Sequence, residues 1–217
     1  MKIQWLGHSA FKLTESTGTS IVIDPYDPYV GHHMQQVSAN AVTISHKHKD
    51  HSFVQGVTGS PEIIDKVGAY EITGVHIYSI LTNHDSAGGT QRGKNLVFKY
   101  RMDGVDVCHM GDIGEECDSL FVEAVIPVNV LLIPIGGGGY TVNAAEAKEY
   151  VDHIMPDVVI PMHYRTKEGN FNLDKLGEFT DLFDEDQIEY VDGDTVEYDR
   201  ADFDGDKTKV VILDFAR

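Results

Sequence analysis

Short β-rich runs recur along most of the chain, and several of them stop directly at a histidine or an aspartate. Runs of this length, separated by turn residues, are typical of strands rather than helices. The predicted strands cover residues 2–6, 10–14, 20–23, 41–45, 62–64, 75–81, 96–102, 105–110, 130–134 and 158–161. We therefore expect layered sheets that present polar side chains where their strands end.

Two helices are predicted among the later strands. Thr141 is expected to cap the first helix, whose apolar face runs from Ala144 to Ile154 and which ends before Pro156. The second helix is expected to cover residues 173–183.

The chain as a whole shows no linker, low-complexity tract or internal repeat, so residues 1–217 are predicted to form a single domain. Early hairpins and a late strand–helix–strand unit predict a mixed α/β (α+β) arrangement. From residue 188 onward, turns alternate with β-rich runs that we expect to be edge strands, the last at residues 210–215. The acidic stretch 202–206 lacks EF-hand spacing, because its glycine stands at the fourth rather than the sixth position.

The densest chemical signal is the segment Ser45-His46-Lys47-His48-Lys49-Asp50-His51, directly after an apolar run. On an extended backbone, residues two apart project to the same side, so His46 and His48 can meet one ion. Asp50 and His51 are then expected to bind a second, adjacent ion. The alternative reading, a solvated polar loop, is typical of a lone histidine rather than of such a cluster.

Two metal ions need more ligands than one loop supplies. His84, Asp112 and His163 each follow a predicted strand, which is where a scaffold presents functional groups. Alone, each would be typical of a turn or of a hydrogen-bonded strand end. Together with the first cluster they complete a ligand set.

Composition narrows the function classes. Hydrophobic residues make up 41% and charged residues 24%, as in a globular protein, and Asp and Glu outnumber Lys and Arg by 35 to 17. The net charge of −18 disfavours nucleic-acid polymers and anionic membranes as partners, although a bound divalent cation can reverse the local field. The sequence does not indicate an oligomeric state.

Location is predicted from what the sequence lacks. Cys108 and Cys117 are too few for a disulfide framework, and neither is expected to bind metal. The amino terminus has no secretory signal, and no run reaches about 20 apolar residues. We expect a cytoplasmic protein without an export signal or a membrane span.

In order and content, these motifs resemble those of the metallo-β-lactamase fold hydrolases. The resemblance rests on Asp24 after the third strand, the His-x-His-x-Asp-His signature at residues 46–51, and then His84, Asp112 and His163 in sequence. The segments at residues 5–9, 134–141 and 160–164 are similar to the small bacterial branch that includes ascorbate-6-phosphate lactonase-like proteins. The resemblance covers most of residues 1–195. We assign no role to the tail after about residue 196.

The resemblance implies a four-layer αββα sandwich with a metal site at one edge, between the two sheets. It implies that three residues bind the first ion and three the second, while Asp112 bridges the two and Asp24 orients the ligand loop. The first set is His46, His48 and His84; the second is Asp50, His51 and His163. Flavodiiron proteins of this fold usually carry Glu where this chain has His48, so hydrolysis is favoured over oxygen reduction.

The expected mechanism uses a hydroxide that bridges two divalent ions about 3.5–4 Å apart. Asp112 and Asp50 are the expected catalytic carboxylates, with Asp50 both a ligand and an orienting group. Zinc is favoured by the imidazole ligands, and manganese or iron are the alternatives because of Asp50 and Asp112.

The predicted function is hydrolysis of a small anionic or ester-like metabolite, with lactones and phosphoesters as the leading candidates. Nucleases of this superfamily carry an inserted domain and a basic surface, and this sequence has neither. A small-nucleotide phosphodiesterase, a mononuclear iron dioxygenase and a noncatalytic metal-binding module of the same fold remain alternatives.

Four further residues are candidates for the edge of the site. His8 is expected near the active site, against a carboxylate, and Tyr140 could donate a hydrogen bond from the glycine-rich turn 136–139. His32 and His33 could contact substrate, although solvated loop positions are favoured for them. His109 is expected in the core.

Overall fold

The computed structural model describes residues 1–203, 205 and 207–214, which contain sixteen strands and three α-helices. The strands are β1 (Lys2–Gly7), β2 (Ala10–Thr14), β3 (Ser20–Ile23), β4 (Val37–Ser38), β5 (Ala41–Thr43), β6 (Val57–Thr58), β7 (Glu62–Ile64), β8 (Ala69–Ile72), β9 (Val75–Asn83), β10 (Lys94–Met102), β11 (Val105–His109), β12 (Val130–Pro134), β13 (Val158–Met162), β14 (Ile188–Tyr190), β15 (Thr195–Glu197) and β16 (Lys209–Ile212). The helices are α1 (Ser119–Val125), α2 (Ala144–Ile154) and α3 (Leu176–Thr180).

Two sheets form the centre of the fold. The first has the strand order β15-β1-β2-β3-β5-β7, and the second has the order β14-β16-β13-β12-β11-β10-β9-β8. Their facing sides bury one apolar core that includes Ile3, Phe11, Ile77, Phe98 and Ile160. Burial of this surface is the main force that holds the sheets face to face.

The outer side of each sheet is covered differently. Phe121, Tyr150 and Phe179 of α1, α2 and α3 pack on the second sheet in a separate apolar cluster. The first sheet is covered by the segment after β3, which packs Tyr26 and Val30 against it. Val30 belongs to a short 3₁₀ turn, and Tyr26 precedes that turn. The predicted mixed α/β fold, built on two facing sheets, is therefore confirmed. The second sheet carries a helical layer, whereas a 3₁₀ segment covers the first sheet where the resemblance implied helices.

The cap of helix α2 lies two residues later than predicted. The Asn143 side chain accepts from the backbone N–H groups of Ala145 and Glu146, and the Glu146 carboxylate accepts from the Asn143 backbone N–H. Asn143 is therefore the cap, whereas the Thr141 hydroxyl donates to the Val142 carbonyl. The helix ends before Pro156, as predicted.

The second predicted helix is shorter than residues 173–183. The Asp174 backbone N–H donates to the Gly136 carbonyl, and its own carbonyl accepts from the Arg165 N–H. These long-range bonds hold the chain extended up to Lys175, so α3 covers only Leu176–Thr180.

The tail completes both sheets. β15 pairs with β1 at an edge of the first sheet, and β14 is an edge of the second. The prediction of edge strands is wrong for β16, which lies between β13 and β14 with parallel neighbours on both sides. Phe215 of the predicted run 210–215, and Asp204 and Asp206 of the acidic stretch, lie outside the described residues.

Within the described ranges, every helix is too short or too polar to cross a membrane.

Candidate metal centre

The candidate ligands all follow strands that end at one edge of the sandwich. His46, His48, Asp50 and His51 follow β5, and His84 follows β9 directly. Asp112 comes three residues after β11, and His163 follows β13 directly. Because β11 and β13 run parallel within one sheet, their carboxyl ends meet at the same edge.

The Asp112 carboxylate is the centre of this cluster. Its Oδ2 atom lies 3.2 Å from Nε2 of His51, 3.4 Å from Nε2 of His84, 3.4 Å from Nε2 of His163 and 3.8 Å from Nε2 of His46. All five side chains are buried. Four imidazoles from three parts of the chain therefore point one ring nitrogen at a single carboxylate oxygen.

These inward nitrogens have no hydrogen-bond partner among the described residues. The Nε2 atoms of His46, His51, His84 and His163 and the Oδ1 atom of Asp112 are buried and unsatisfied. Burying that many polar atoms without partners is costly. A divalent cation would satisfy them, and imidazole with carboxylate is a donor set that zinc, manganese and iron accept.

The opposite ring nitrogens of two histidines are held in place. Nδ1 of His51 lies 2.9 Å from Asp24 Oδ2, and Nδ1 of His46 lies 2.9 Å from the Ser45 hydroxyl. Asp24 also accepts from the backbone N–H and the hydroxyl of Ser45. This carboxylate therefore fixes the ring orientation of His51 and the start of the loop that carries His46.

The ligand atoms fall into adjacent groups. One consists of His46, His48 and His84, and another of Asp50, His51 and His163 together with His8. His46, His51 and Asp112 form a third group that joins them. His48 is the exposed member of the first group. This group is therefore open to solvent on the side of His48.

The structure overturns the reason given for the meeting of His46 and His48. Residues 45–48 bend and residues 49–51 form a turn, rather than continuing β5 as an extended strand. The His51 backbone N–H donates to the His48 carbonyl and closes this turn. The two rings nevertheless meet, with centroids 4.6 Å apart.

The pKa values of the clustered side chains are shifted in different directions. Burial alone would lower the pKa of His51, but the carboxylates of Asp112 and Asp24 raise it well above its usual value. Burial lowers the pKa of His163 to about 3, and burial together with the neighbouring His51 lowers the pKa of His46. Although burial opposes ionisation of Asp112, the surrounding imidazoles hold its pKa well below the usual range.

His8 lies at the edge of this cluster. Its Nε2 atom is 3.4 Å from Asp50 Oδ2, and its ring stacks on Phe171 with centroids 5.4 Å apart. Phe171 in turn contacts the rings of Tyr29 and Tyr140. The predicted contact of His8 with a carboxylate is therefore present, and an aromatic wall surrounds it.

Tyr140 contacts a cation as well as this wall. The Arg92 guanidinium lies 4.5 Å from the centroid of its ring. This contact joins the loop after β9 to the glycine-rich turn 136–139.

Close packing explains two glycines beside the ligands. A Cβ on Gly111 would lie 2.3 Å from Asn95 Oδ1, and a Cβ on Gly136 would lie 2.0 Å from the His163 carbonyl oxygen. The backbone φ of Gly111 is also positive, at +57°. These positions need glycine so that the loops carrying Asp112 and His163 can approach their neighbours.

Three site residues other than glycine adopt left-handed backbone conformations: His8, Asp24 and His163, with φ of 53°, 45° and 50°. Such conformations are costly and persist where surrounding contacts impose them. The His8 carbonyl accepts from the backbone N–H of His163 and from the Trp5 indole N–H, and these bonds fix the turn.

Two residues that position the site belong to no sequence motif. Buried Asn95 accepts from the Asp112 backbone N–H and donates to the Met110 carbonyl, so it shapes the turn before Asp112. Asp85 accepts from four backbone N–H groups of the following loop, the last that of Arg92. Asn95 reads as an ordinary strand residue, and only the adjacency of Asp85 to His84 could have drawn attention to it.

The other histidines lie away from the cluster centre. His109 is fully buried, where it donates from Nε2 to the Ser9 carbonyl and accepts from the Gly111 N–H, in agreement with the expected core position. His32 is buried beside the Thr166 hydroxyl, so the expectation of a solvated position is wrong for it, whereas His33 is exposed.

A two-sheet sandwich with His and Asp side chains gathered at one edge defines the metallo-β-lactamase fold. Residues 2–163 match the model of the beta-lactamase superfamily domain. The UPF0173 metal-dependent hydrolase of Methanopyrus kandleri is 30% identical over 76% of this chain and 85% of its own. The chain belongs to this beta-lactamase superfamily, among its metal-dependent hydrolases.

Solved structures agree. A proposed Zn-dependent hydrolase of the metallo-β-lactamase superfamily from Thermotoga maritima is 39% identical, with a TM-score of 0.79 over 98% of this chain and 97% of its own. An isothiocyanate hydrolase from Delia radicum gut bacteria is 15% identical, with a TM-score of 0.70 over 92% of this chain and 99% of its own. The second likeness shows the fold alone.

Proposed function

We propose that this chain is a binuclear metal-dependent hydrolase of a small anionic or ester-like metabolite, with a lactone or a phosphoester as the substrate. The observation that carries the proposal is the convergence of four buried, unsatisfied Nε2 atoms on Asp112 Oδ2. A structural role alone would leave these atoms unpaired at considerable cost.

The grouping of these side chains supports two ligand sets. His46, His48 and His84 would hold one ion and Asp50, His51 and His163 the other, with Asp112 between them. Zinc is the proposed metal, with manganese and iron as alternatives. Two bound divalent ions would lower the pKa of a water molecule toward neutrality and polarise the oxygen of a scissile bond.

The protein groups have separate tasks in this proposal. Asp24 holds His51 through Nδ1, which leaves Nε2 free to bind. His8 lies 3.4 Å from one oxygen of Asp50 and helps to orient this carboxylate, which in this proposal both binds an ion and orients the attacking water molecule. Tyr140 and Arg92 contact each other at the edge of the candidate metal centre, where a hydroxyl and a cation can meet an anionic substrate.

A small-nucleotide phosphodiesterase is the alternative within the same chemistry, and a noncatalytic metal-binding module is the alternative outside it. The intact ligand set, including Asp112, favours turnover over the noncatalytic module. We further propose a cytoplasmic location, since the free thiols of buried Cys108 and half-buried Cys117 suit a reducing compartment.

Metal content per chain is the first test, measured by elemental mass spectrometry on protein purified without a metal-binding tag or a chelator. About two zinc or manganese ions, with hydrolysis in a lactone and phosphoester screen, would support the proposal. A single iron would instead favour oxygenase chemistry. No metal after incubation with each candidate ion would overturn it.

A further inference from the structure

A groove of about 490 Å³ opens beside the two histidines of the His-x-His segment. His46 and His48 form one wall, and this wall also belongs to the candidate metal centre. The groove therefore leads directly to the first ligand group, on the side where His48 is exposed.

Charge in the groove is opposite to that of the whole chain. Its lining includes four cations, Lys47, Lys66, Arg92 and Lys94, and one carboxylate, Asp65. The chain as a whole carries 35 acidic residues against 17 basic ones. A basic lining in such an acidic protein creates a local field that attracts anions to this opening.

Most of this positive charge is not neutralised by carboxylates. Lys47 lies 3.9 Å from Asp65. Among the described residues, Lys66, Arg92 and Lys94 make no ion pair within 4.0 Å. Lys94 donates to neutral acceptors, the side chain of Asn83 and the Gly88 carbonyl, which fix its position but leave its charge.

The groove also has an apolar side. Leu81 and Val67 line it and are 54% and 57% exposed. Aliphatic side chains of this kind could bury a hydrocarbon portion of a ligand whose anionic group meets the lysines.

Arg92, which lines the groove, is held in place by two contacts. The Asp85 carboxylate accepts from the Arg92 backbone N–H at 2.7 Å and from three other N–H groups of the same loop. Beyond the backbone, the guanidinium lies over Tyr140. Such preorganisation lowers the entropic cost of binding an anion.

We propose that this groove recognises the substrate, and that the substrate is an amphiphilic anion whose phosphate or carboxylate meets Lys66, Arg92 and Lys94 while its apolar part contacts Leu81 and Val67. The inference rests on the proposed function for the reaction that follows binding. To the proposed function it adds two points. The substrate approaches the candidate metal centre past His48, and the substrate is an amphiphilic anion.

Calorimetry on the full chain tests the groove separately from catalysis. The probes are hexyl phosphate, hexanoate, inorganic phosphate and 1-hexanol, each titrated into the metal-free protein. We expect hexyl phosphate or hexanoate to bind more tightly than inorganic phosphate or 1-hexanol, with an affinity that falls as salt rises. Equal affinity for hexyl phosphate and inorganic phosphate would remove the apolar half of the proposal.

The variant Lys66→Met with Arg92→Met removes two cations from the groove. It should weaken binding of the tighter-binding amphiphile about tenfold. Its matched control, Arg101→Met with Lys209→Met, makes the same charge change at two exposed strand positions and should bind within about twofold of the parent chain. Equal losses in both double variants would overturn the groove assignment.

Metal content separates this inference from the proposed function. If the parent chain holds two ions and hydrolyses an ester, but the groove variant binds hexyl phosphate and hexanoate like the parent chain, the groove inference alone fails. If the amphiphiles bind in the groove but the chain takes up no metal, the proposed function fails and the groove stands as an anion site.

Discussion

Nδ1 of His51 lies 2.9 Å from Oδ2 of Asp24, and both side chains are fully buried. The same carboxylate accepts two hydrogen bonds from Ser45, the first residue of the loop that carries the clustered histidines. Asp24 therefore ties the end of β3 to both ends of the His-x-His-x-Asp-His segment. Its effect on metal binding should be large although it is not itself a proposed ligand.

Asp24→Asn is the direct test of this relationship. An amide cannot accept all three hydrogen bonds and would present its own N–H group to a donor. We expect metal affinity to fall ten- to a hundredfold and the free energy of unfolding to fall by about 3 kcal/mol. Asp152→Asn, at an exposed ion pair on α2, is the control and should change neither quantity measurably. Unaltered zinc affinity in the Asp24 variant would contradict the assigned role.

The charge state of His51 gives a second prediction. Since Asp112 and Asp24 raise the pKa of His51, its ring should still be protonated at about pH 7 in the metal-free protein. Burial lowers the pKa of His163, so that ring should be neutral. The ¹⁵N shifts of the ring nitrogens distinguish the two states.

The same prediction fixes the direction of a pH effect. A raised pKa stabilises the metal-free fold below the ordinary value near 6.5, and this contribution is lost as the pH rises through the folded pKa. Metal must displace that proton, so metal affinity should weaken as the pH falls. Asp24→Asn should lower the pKa of His51 because it removes one negative neighbour. A neutral His51 at about pH 7 in the unaltered chain would show that the two carboxylates do not hold the proton.

Asp112→Asn tests the proposed bridge. It retains the shape of the side chain but removes the charge that four imidazoles face, so metal retention and turnover should each fall by roughly two orders of magnitude or more. Asp106→Asn is a matched control, because Asp106 is also a buried aspartate but lies within β11, beside Lys99. It should keep the metal, at a cost in stability of about 1 kcal/mol. Full metal content and turnover in the Asp112 variant would exclude bridging.

Local patterns predicted most of the strands but not all of their partners. β2, β3, β7 and β12 have the predicted boundaries, because short β-rich runs between turns are a local signal. β16 shows the opposite case. Its sequence resembles an edge strand, but its place between β13 and β14 depends on pairing across distant parts of the chain.

The site was predicted to a similar extent. His, Asp and strand ends are visible in sequence, so the residues that meet at Asp112 could be named in advance. Asn95, Phe171 and Arg92 could not, because a strand asparagine, a loop phenylalanine and a loop arginine gain their meaning only from neighbours that folding brings close. The bend and turn at residues 45–51 were also missed, because the predicted strand 41–45 was followed by an extended backbone at His46 and His48, whereas the observed geometry depends on Asp24.

Gly111→Ala should disturb the centre through packing alone. The new Cβ would lie 2.3 Å from Asn95 Oδ1 and 2.7 Å from the Ser45 Cβ, at a positive φ. We expect a loss of about 2–3 kcal/mol in the free energy of unfolding together with weaker metal binding. Gly74→Ala, at a positive φ with open space around it, isolates the conformational cost and should lose about 1 kcal/mol without affecting metal. Equal effects of the two substitutions would show that close packing at Gly111 is not required.

Asp85→Ala should loosen the loop that carries Arg92 while leaving the metal ligands in place. Four backbone N–H groups, those of Ala87, Gly89, Gln91 and Arg92, donate to this carboxylate and would lose their acceptor. Amide hydrogen exchange at those four residues should become at least about tenfold faster. Because the guanidinium then spends less time over Tyr140, KM for an anionic ester should rise more than kcat falls.

Asp118→Ala is the matched control for this loop. Asp118 caps α1 by accepting from the Phe121 N–H, so its loss should speed exchange at that helix and leave residues 87–92 unchanged. Equal zinc content in the parent and Asp85 variants would place the effect in the loop rather than in His84. If exchange at residues 87–92 stayed slow, the Asp85 carboxylate could not be what orders the loop, and the position of Arg92 would depend on its contact with Tyr140 alone.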